Sequence, residues 1–432
     1  MTTFTPDASR ALGGPDWLVR RREAAAERLA DLTWPTSREE IWRYSPVDRF
    51  DPEQFSPIPA EELGSPGQEG APGGGLLAAE AGERSGLVVV RNGRVVHHEL
   101  DPALEAKGVH VCGLATCAAG EAEPWLGQCS DASPDAFTVL HDAFLAGGAF
   151  VHVPAGVVVD KPIVVLHWSQ GEGRASFPHT LVVAEEAAQV AVVDRFSSAG
   201  GPHLVDAVVE LVLGDGANVR YLSVQEHGPH TWQVALQRAH LSRDAVLRSS
   251  AVALGGDYAR LRNEARLDGS GAESDLLAVY FGDGTQTHDF RTLQDHAAPH
   301  TRSTLLFKGA VEDEAHSVYS GMVRLRPEAQ RAEAYQTNRN LVLSEGAGAE
   351  SIPNLEIEAN DVKCSHASTV GPVDDDQRYY LATRGIPPEE ADRLIVMGFF
   401  EDVIARLPVR SLVDPLREAV TRKIEHRGHS HD

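Results

Sequence analysis

The most constraining feature of this sequence is a long internal region, residues 149–370, in which short β-rich segments alternate with tight turns and long helical periods are absent. The turn signals recur at intervals that shorten from 29 to 26 residues along the chain. A unit that repeats every 20 to 50 residues or so is typical of a solenoid, and the β content favours a β-helix whose coils stack on one another. A large β-sandwich also has short strands and turns, so that alternative stays open. The corners are marked by Ala188, Ala217, Ala245, Ala272 and Ala298.

Residues 1–148 are expected to form a helical region that precedes the solenoid. Apolar residues at helical spacing predict a helix from Asp16 to Leu32. Ser37 and Glu40 form a capping-box pattern, which predicts the start of a second helix.

Further along this region, residues 61–86 are rich in Gly, Pro, Glu, Ala and Ser. Such a segment cannot bury enough apolar surface to order itself, so we expect a linker. Valine-rich runs on both sides of Asn92-Gly93 predict a hairpin over residues 87–96. A helix is expected to start at Ser133-Pro134.

Residues 371–432 are expected to form a C-terminal helical region. Asp374 is placed to cap one helix, Pro387-Pro388 to open a second and Asp414-Pro415 to open a third. The tail beyond them is polar and is predicted to be solvated, with histidines that could bind metal adventitiously. These are His426, His429 and His431.

The charge balance narrows the range of partners. The chain has 39 basic and 63 acidic residues, a net charge of −24, which argues against binding to nucleic acid and to an anionic membrane surface. No apolar run is long enough to span a bilayer, and no basic segment followed by an apolar run suggests a secretory signal. Four cysteines are too few for a disulfide scaffold. We therefore expect a cytoplasmic protein.

The main candidate for a metal- or cluster-binding site is the pair Cys364 and His366, which are separated by one residue. Side chains alternate along a strand, so both would project to the same face, and a thiolate with an imidazole suits iron, zinc or cluster iron. A closed metal site needs three or four ligands, so the rest would come from elsewhere in this chain or from another chain. The alternative is a buried, inert cysteine beside a hydrogen-bonded histidine.

The remaining cysteines offer a weaker pattern. Cys112 and Cys117 are separated by four residues, and Cys129 follows later. This spacing lacks the second ligand pair of common zinc sites. We interpret these cysteines as incidental residues of a small core.

A polar group within the solenoid suggests a different class of function. Parallel β-helices often carry glycan-cleaving enzymes, which need paired carboxylates such as Asp289 and Asp295. A secreted enzyme of that class would need a signal segment, which the N-terminus lacks. Asp289 and Arg291 would share a strand face, and we predict a surface ion pair. The full group is His288, Asp289, Arg291, Asp295 and His296.

Two further observations bear on the interior and on catalysis. The strand from Gln330 to Asn340 carries Gln336, Asn338 and Asn340 on one face, which predicts amide side chains stacked inside a coil. No glycine-rich loop of the Walker type occurs, so the chain is not expected to hydrolyse ATP itself.

Two segments in the C-terminal part of the sequence are distinctive. They are LEIEANDVKCSHASTVGPVDDDQRYYLATRGIPPEEADRLIVMGFFEDVI, from Leu355 to Ile404, and FKGAVEDEAHSVYSGMVRLRPEAQRAEAYQTNRN, which begins at Phe307. Both segments resemble the SufB/SufD family of iron–sulfur cluster assembly proteins. The resemblance covers the chain well from Phe137 to Leu407 and the N-terminal helices more loosely. The family usually continues C-S-H with Gly-Ala-Thr, whereas Ala367 follows the histidine here.

This resemblance implies a right-handed parallel β-helix with helical ends, and a scaffold rather than an enzyme. It implies work in a complex with a SufB-like paralogue and a SufC-like ABC-type ATPase. A SufB needs a thiol within its core, and no cysteine occurs between Cys129 and Cys364, so the sequence is more like the SufD branch. A SufB-type paralogue, or a structural prop with inert Cys364 and His366, remain the alternatives.

The resemblance also implies a location for the chemistry. Cys364 and His366 would take part in assembling a transient iron–sulfur cluster at a subunit interface, with no cluster held tightly by the isolated chain. Apolar residues on more than one side of the helices from Asp374 to Ile404 predict a docking face for the ATPase. Its residues would be Leu394, Ile395, Phe399, Phe400 and Val403.

Overall fold

The computed structural model describes residues 3–64, 84–117, 121–130, 135–407 and 409–425. Two sheets of mostly parallel strands form a solenoid in its middle, and helices lie at both ends of the chain. The predicted β-solenoid is therefore confirmed, and the β-sandwich alternative is wrong.

Within the described residues, the first sheet, sheet A, consists of β1 (Ser56–Pro57), β4 (His110–Gly113), β5 (Ala149–Val153), β7 (Arg174–Ser176), β8 (His179–Ala184), β10 (His203–Leu213), β12 (Thr231–Leu241), β14 (Tyr258–Leu267), β16 (Thr287–His296), β18 (His316–Leu325) and β20 (Gly348–Ile357). These strands pair in the order β20-β18-β16-β14-β12-β10-β8-β5-β4, and β1 and β7 lie off this path.

In the part of the chain that the structure describes, the strands of the second sheet, sheet B, are β2 (Gly86–Arg91), β3 (Arg94–Leu100), β6 (Ile163–Ser169), β9 (Gln189–Ser198), β11 (Asn218–Glu226), β13 (Val246–Ala253), β15 (Glu273–Gly282), β17 (Arg302–Val311), β19 (Glu333–Val342) and β21 (Lys363–Gly371). They pair in the order β21-β19-β17-β15-β13-β11-β9-β6-β2-β3.

The small corner residues explain the repeat. From β8 onward the chain alternates between the sheets, and Ala188, Ala217, Ala245 and Ala272 are fully buried just before successive strands of sheet B. The next corner is not the predicted Ala298. Glu273 pairs with Arg302 in the parallel ladder, which puts Thr301 at the equivalent position.

The interior of the solenoid changes character along its length. Alternate side chains of each strand point inward, and those of the earlier coils form a continuous apolar core of Val, Leu, Ile and Ala. Interior positions of the last coils carry amides and hydroxyls instead. The buried polar residues there include Ser317, Gln336, Asn338 and Asn340.

The N-terminal helices are α1 (Pro6–Ala11), α2 (Asp16–Arg28), α3 (Pro102–Glu105) and α4 (Ala136–Phe144). The predicted helix from Asp16 ends at Arg28 and continues as a single tighter turn. The helix predicted after Ser37 is wrong, because the chain forms only a short 3₁₀ turn at Glu40–Trp42. Both the amide and the hydroxyl of Ser37 donate to Asp48, so Ser37 caps no helix.

The hairpin predicted around Asn92-Gly93 is confirmed. Asn92 and Gly93 have φ values of +52° and +87°, as a type I′ turn requires. A Cβ at Gly93 would make a tight contact of 3.1 Å with the carbonyl oxygen of Phe177, and the positive φ would strain any side chain there. The predicted linker is too wide at both ends, since Leu63 is buried and Gly86 already belongs to β2.

Other parts of these predictions fall outside the structure. Residues 65–83 of the linker, Ser133-Pro134 and the histidine tail lie outside the described residues. The helix expected near Ser133-Pro134 begins at Ala136, and its N-cap is Asp135.

The C-terminal helices are α5 (Asp375–Ala382), α6 (Pro388–Ile404) and α7 (Val413–Glu425). Asp374 caps α5, as predicted. Helices α6 and α7 cover the outer face of sheet B in one apolar cluster. No helix in the described ranges is both long and apolar enough to cross a membrane.

Candidate functional site

The C-terminal end of the solenoid is open. Strands β20 and β21 are the last of their sheets, and no further strand of the described chain pairs with them. Their side chains are half-buried or exposed, unlike those of earlier coils; Ile357 and Val370 are 48% and 44% exposed. Unpaired strand edges with apolar side chains are a typical place for another chain to bind. We call this end, formed by β20 and β21, the mouth.

Cys364 and His366 lie together at the mouth. In the parallel ladder Cys364 pairs with Ala334 and His366 with Gln336, both of which are buried in the solenoid interior. Neighbouring residues in a ladder point to the same side of a sheet, so Cys364 and His366 share the interior face, as their spacing predicted.

The two side chains have different environments. Cys364 is half-buried against an apolar cluster that includes Leu325 and Ala334, and this burial raises the pKa of its thiol. His366 is exposed, so its ring is accessible to a ligand from outside the chain. Among the described residues no group of three metal-binding side chains is assembled. The mouth therefore brings together two candidate ligands within the described residues.

A hydrogen-bonded chain of polar groups supports the mouth from inside. Tyr280 donates to the Asn340 amide oxygen (2.6 Å), and Asn340 donates to that of Asn338 (2.8 Å). Ser351 of β20 also donates to Asn338 (2.6 Å), and Ser368 of β21 donates to Ser351 (2.7 Å). The predicted interior amides are confirmed, and the hydrogen bond between Ser368 and Ser351 joins the two terminal strands.

Gln336, which the sequence placed among the interior amides, lies directly beside His366. It is 1% exposed and is the ladder neighbour of His366. Neither polar atom of its side-chain amide has a hydrogen-bond partner among the described residues, although a buried amide without partners is costly. Its position beside His366 on the neighbouring strand would have singled it out. That position depends on the register of the two strands, which only the structure supplies.

A second feature is a groove on the C-terminal helices, a cavity of about 720 Å³ between α5 and α6. Leu394 is 44% exposed there, and Ile395 and Phe399 are half-buried. Phe400 and Val403, which we expected in the same face, are instead fully buried against sheet B. We call the cavity the α5–α6 groove; it is lined by Leu341, Tyr380, Leu381, Leu394, Ile395 and Phe399, among others.

The predicted surface ion pair of Asp289 and Arg291 forms, but it is buried. Asp289 accepts from Arg291 (2.6 Å), Arg260 (2.8 Å) and Ser45 (2.5 Å). Burial opposes ionisation of Asp289, but the two arginines outweigh it and lower its pKa. The prediction was wrong about exposure because the N-terminal segment around Ser45 covers this face.

The two candidate carboxylates of a glycan-cleaving site are both engaged in ion pairs. Asp289 is bonded to two arginines and to hydroxyl groups, and Asp295 accepts two bonds from Arg326, both 2.8 Å long. A general acid needs a raised pKa, whereas the pKa of Asp289 is lowered. These contacts give the glycan-enzyme alternative no support.

The interpretation of Cys112 and Cys117 as incidental core residues is also wrong. The two sulfurs form a disulfide, and their Cα atoms are 5.7 Å apart. The amide of Cys117 bonds back to the carbonyl of Gly113, so a tight turn returns the second cysteine to the first. Cys129, by contrast, is free and fully buried, and burial and the Glu210 carboxylate raise the pKa of its thiol well above the usual value.

Comparisons with known proteins give a consistent result. Residues 167–399 match the family described as "SUF system FeS cluster assembly, SufBD core domain", and residues 83–165 match "SufBD protein N-terminal region".

Curated relatives match over most of the chain. An "iron-sulfur cluster assembly SufBD family protein" of Mycobacterium tuberculosis is 34% identical over 402 residues, which cover 91% of this chain and 89% of the relative. The "iron-sulfur cluster assembly protein SufD" of Bacillus subtilis is 30% identical over 423 residues, 95% of each chain. A SufBD family protein of Staphylococcus saprophyticus is 28% identical over 345 residues, 79% of this chain and 74% of the relative.

Proposed function

Since this chain belongs to the SufBD family of iron–sulfur cluster assembly proteins, we propose that it is a SufD-type scaffold subunit and not itself an enzyme. In this proposal it pairs with a SufB-like paralogue and a SufC-like ABC-type ATPase in the cytoplasm. The observation that carries the proposal is the mouth, where an open solenoid end presents an incomplete pair of metal ligands, Cys364 and His366.

The distribution of cysteines favours the SufD type over the SufB type. A subunit that accepts sulfur in its core needs a reactive thiolate there. Cys129 is the free cysteine that precedes Cys364, and it is buried with a raised pKa. No cysteine occurs between them in the sequence. We therefore assign the sulfur-accepting thiol to the paralogue.

The mouth suits a shared cluster rather than a resident one. Iron in proteins is held by about four ligands in the common tetrahedral sites, and this chain supplies two. We propose that the facing end of the paralogue supplies the others, so that the cluster is cargo at the interface. The half-buried strands β20 and β21 would then be covered by the partner's strands.

We expect the mouth to be the heterodimer interface. Val370→Lys would place a charge on the exposed apolar surface of β21 and should weaken pairing with the SufB-like paralogue by tenfold or more, about 1.4 kcal/mol. Native mass spectrometry of co-expressed chains measures the heterodimer fraction. Val158→Lys, at an exposed valine outside the mouth, is the matched control.

Two results would contradict this interface. The first is exclusive formation of homodimers by the co-expressed wild-type chains. The second is an equal heterodimer fraction in the Val370→Lys and Val158→Lys variants. Anaerobic reconstitution extends the test, because the isolated chain should retain little cluster after desalting and the heterodimer should retain more.

We propose the α5–α6 groove as the docking site for the ATPase. Its walls are mostly apolar, with Asp374, Asp376 and Gln377 as polar members. The opposite side of α6 packs inside the chain, where Phe400 lies on sheet B and Lys308 donates to the Phe399 carbonyl (2.7 Å). Helix α6 is thus held in place with Leu394 facing outward. A rigid apolar groove is the kind of surface that a partner helix or loop fills.

Leu394→Asp is the sharpest test of this docking site. The side chain is exposed, so folding should be unchanged, but a carboxylate in the groove should reduce pull-down of the ATPase by tenfold or more, about 1.4 kcal/mol. Ile41→Asp, at an exposed apolar residue of the N-terminal region, is the control. Undiminished ATPase capture by Leu394→Asp would refute docking here. Truncation after Gly371 is a poorer test, because it would also remove helices α6 and α7, which pack on the outer face of sheet B.

A further inference from the structure

A cavity of about 410 Å³ lies in the N-terminal part of the fold, beside the Cys112–Cys117 disulfide. It is separate from the mouth and is lined by β3, β4 and the turn after β4. Side chains able to bind metal are concentrated around it: His98, Glu105, His110, Cys112, Cys117 and Glu121.

The strand geometry brings three of these side chains to one side. His110 and Cys112 are two residues apart on β4, and Val111 between them is buried in the solenoid core. His110 and Cys112 therefore both point away from the core and toward the cavity. The turn at Gly113 brings Cys117 back onto Cys112.

Glu121 completes a group of four. Its Oε2 atom lies 3.1 Å from Nδ1 of His110. That oxygen is shielded from solvent, yet it makes no hydrogen bond of good geometry within the described chain. The Glu121 side chain is 36% exposed and its carboxylate pairs with His110, so a bound cation would replace this pair and take both groups as ligands.

We propose that Cys112 and Cys117 form a redox-gated binding site for a divalent transition metal, with His110 and Glu121 as the other two ligands. In the oxidised state the sulfurs are bonded to each other and cannot act as thiolates. A dithiol reductant would transfer two electrons and two protons to the disulfide, giving two thiols here and a disulfide on the reductant. Metal binding would then release the two thiol protons.

The chemistry of the ligands selects the metal. Two thiolates with one imidazole and one carboxylate suit tetrahedral Zn²⁺ or Fe²⁺, and they are poor ligands for Mg²⁺ or Ca²⁺. No group of three metal ligands is assembled among the described residues, so the proposed site requires reduction of the disulfide to free its two sulfurs. This site is distinct from the cluster interface of the proposed function and does not depend on it.

Cobalt binding to the full chain tests the proposal, because Co²⁺ replaces Zn²⁺ in such sites and absorbs strongly when bound by thiolates. All proteins would carry Cys364→Ser, so that the mouth contributes no thiolate. After anaerobic reduction by a dithiol and its removal, the chain should bind one Co²⁺ with thiolate–cobalt absorption. The disulfide form should bind at least ~100-fold more weakly, as expected when ligands themselves are lost.

Two variants identify the ligands. Cys117→Ser and His110→Ala should each weaken binding to the reduced chain by tenfold or more, whereas Ser365→Ala, on β21 far along the chain, should not. Absence of thiolate–cobalt absorption in the reduced chain would overturn the proposal. So would equal absorption in the disulfide form. These two outcomes need only the redox states of one protein, so they hold even if a variant fails to fold.

Discussion

Replacing His366 with alanine should abolish cluster assembly by the complex while leaving the complex itself intact. His366 is exposed on the interior face of β21 at the mouth, and an imidazole nitrogen is a suitable ligand for iron. Loss of one of two ligands from this chain leaves the shared site incomplete. Because the ring packs against little, folding should change by less than about 0.5 kcal/mol.

Cys364→Ala should weaken assembly less than His366→Ala. The pKa of Cys364 is raised by burial, so its thiol becomes a thiolate mainly when metal arrives, and the paralogue would carry the sulfur-accepting thiol. The measurement is complementation of a deletion strain, together with the iron and sulfide content of the complex purified from each variant. Ser365→Ala, on the opposite face of the same strand, is the matched control.

The same experiment separates an active scaffold from a structural prop. Full activity of His366→Ala in an intact complex would mean that the pair is inert and that this subunit only supports its partner. Equal loss in Ser365→Ala would point to a general disturbance of β21. Loss confined to His366 and, to a lesser degree, Cys364 supports the proposed role.

Replacing Asp289 with alanine should be among the most destabilising single changes in the chain, at about 3–5 kcal/mol. The carboxylate is fully buried and pairs with Arg260 and Arg291. Removing it leaves two buried guanidinium groups without their counter-ion. Arg260 also stacks on the ring of Trp42 at 3.8 Å, so the N-terminal segment loses its anchor as well.

Urea unfolding of the full chain measures this effect. Asp268→Ala is the matched control, because Asp268 forms a partly exposed ion pair with Arg266 and exposed pairs contribute at most about 1 kcal/mol. Limited proteolysis is a second readout, since Asp289→Ala should expose the segment around Trp42 to cleavage. Unfolding midpoints that are equal in the two variants, with unchanged cleavage, would contradict this account.

Features encoded over short distances could be predicted from the sequence. The alternation of strands and corners predicted the solenoid, Asn92-Gly93 predicted its hairpin, and Asp374 predicted the start of α5. The one-residue spacing of Cys364 and His366 predicted their common face. Each of these depends on a local rule of backbone geometry that acts within a few residues.

Features that depend on what covers a surface could not be predicted in this way. The alternation of β16 puts Asp289 and Arg291 on one face, but Ser45, 244 residues earlier, decides that this face is buried. The pattern of α6 shows many apolar residues, but the packing of sheet B decides that Phe400 is inside and Leu394 is outside.

The sequence by itself determined the repeating β architecture, the helical ends, the family and the strand that carries Cys364 and His366. Only the tertiary structure decided that Gln336 lies beside His366, that Cys112 and Cys117 meet, and that β20 and β21 end in an open mouth. The physical reason is range. Periodicity and turn chemistry act between near neighbours, whereas register, burial and open edges are settled by contacts between residues that are distant in the chain.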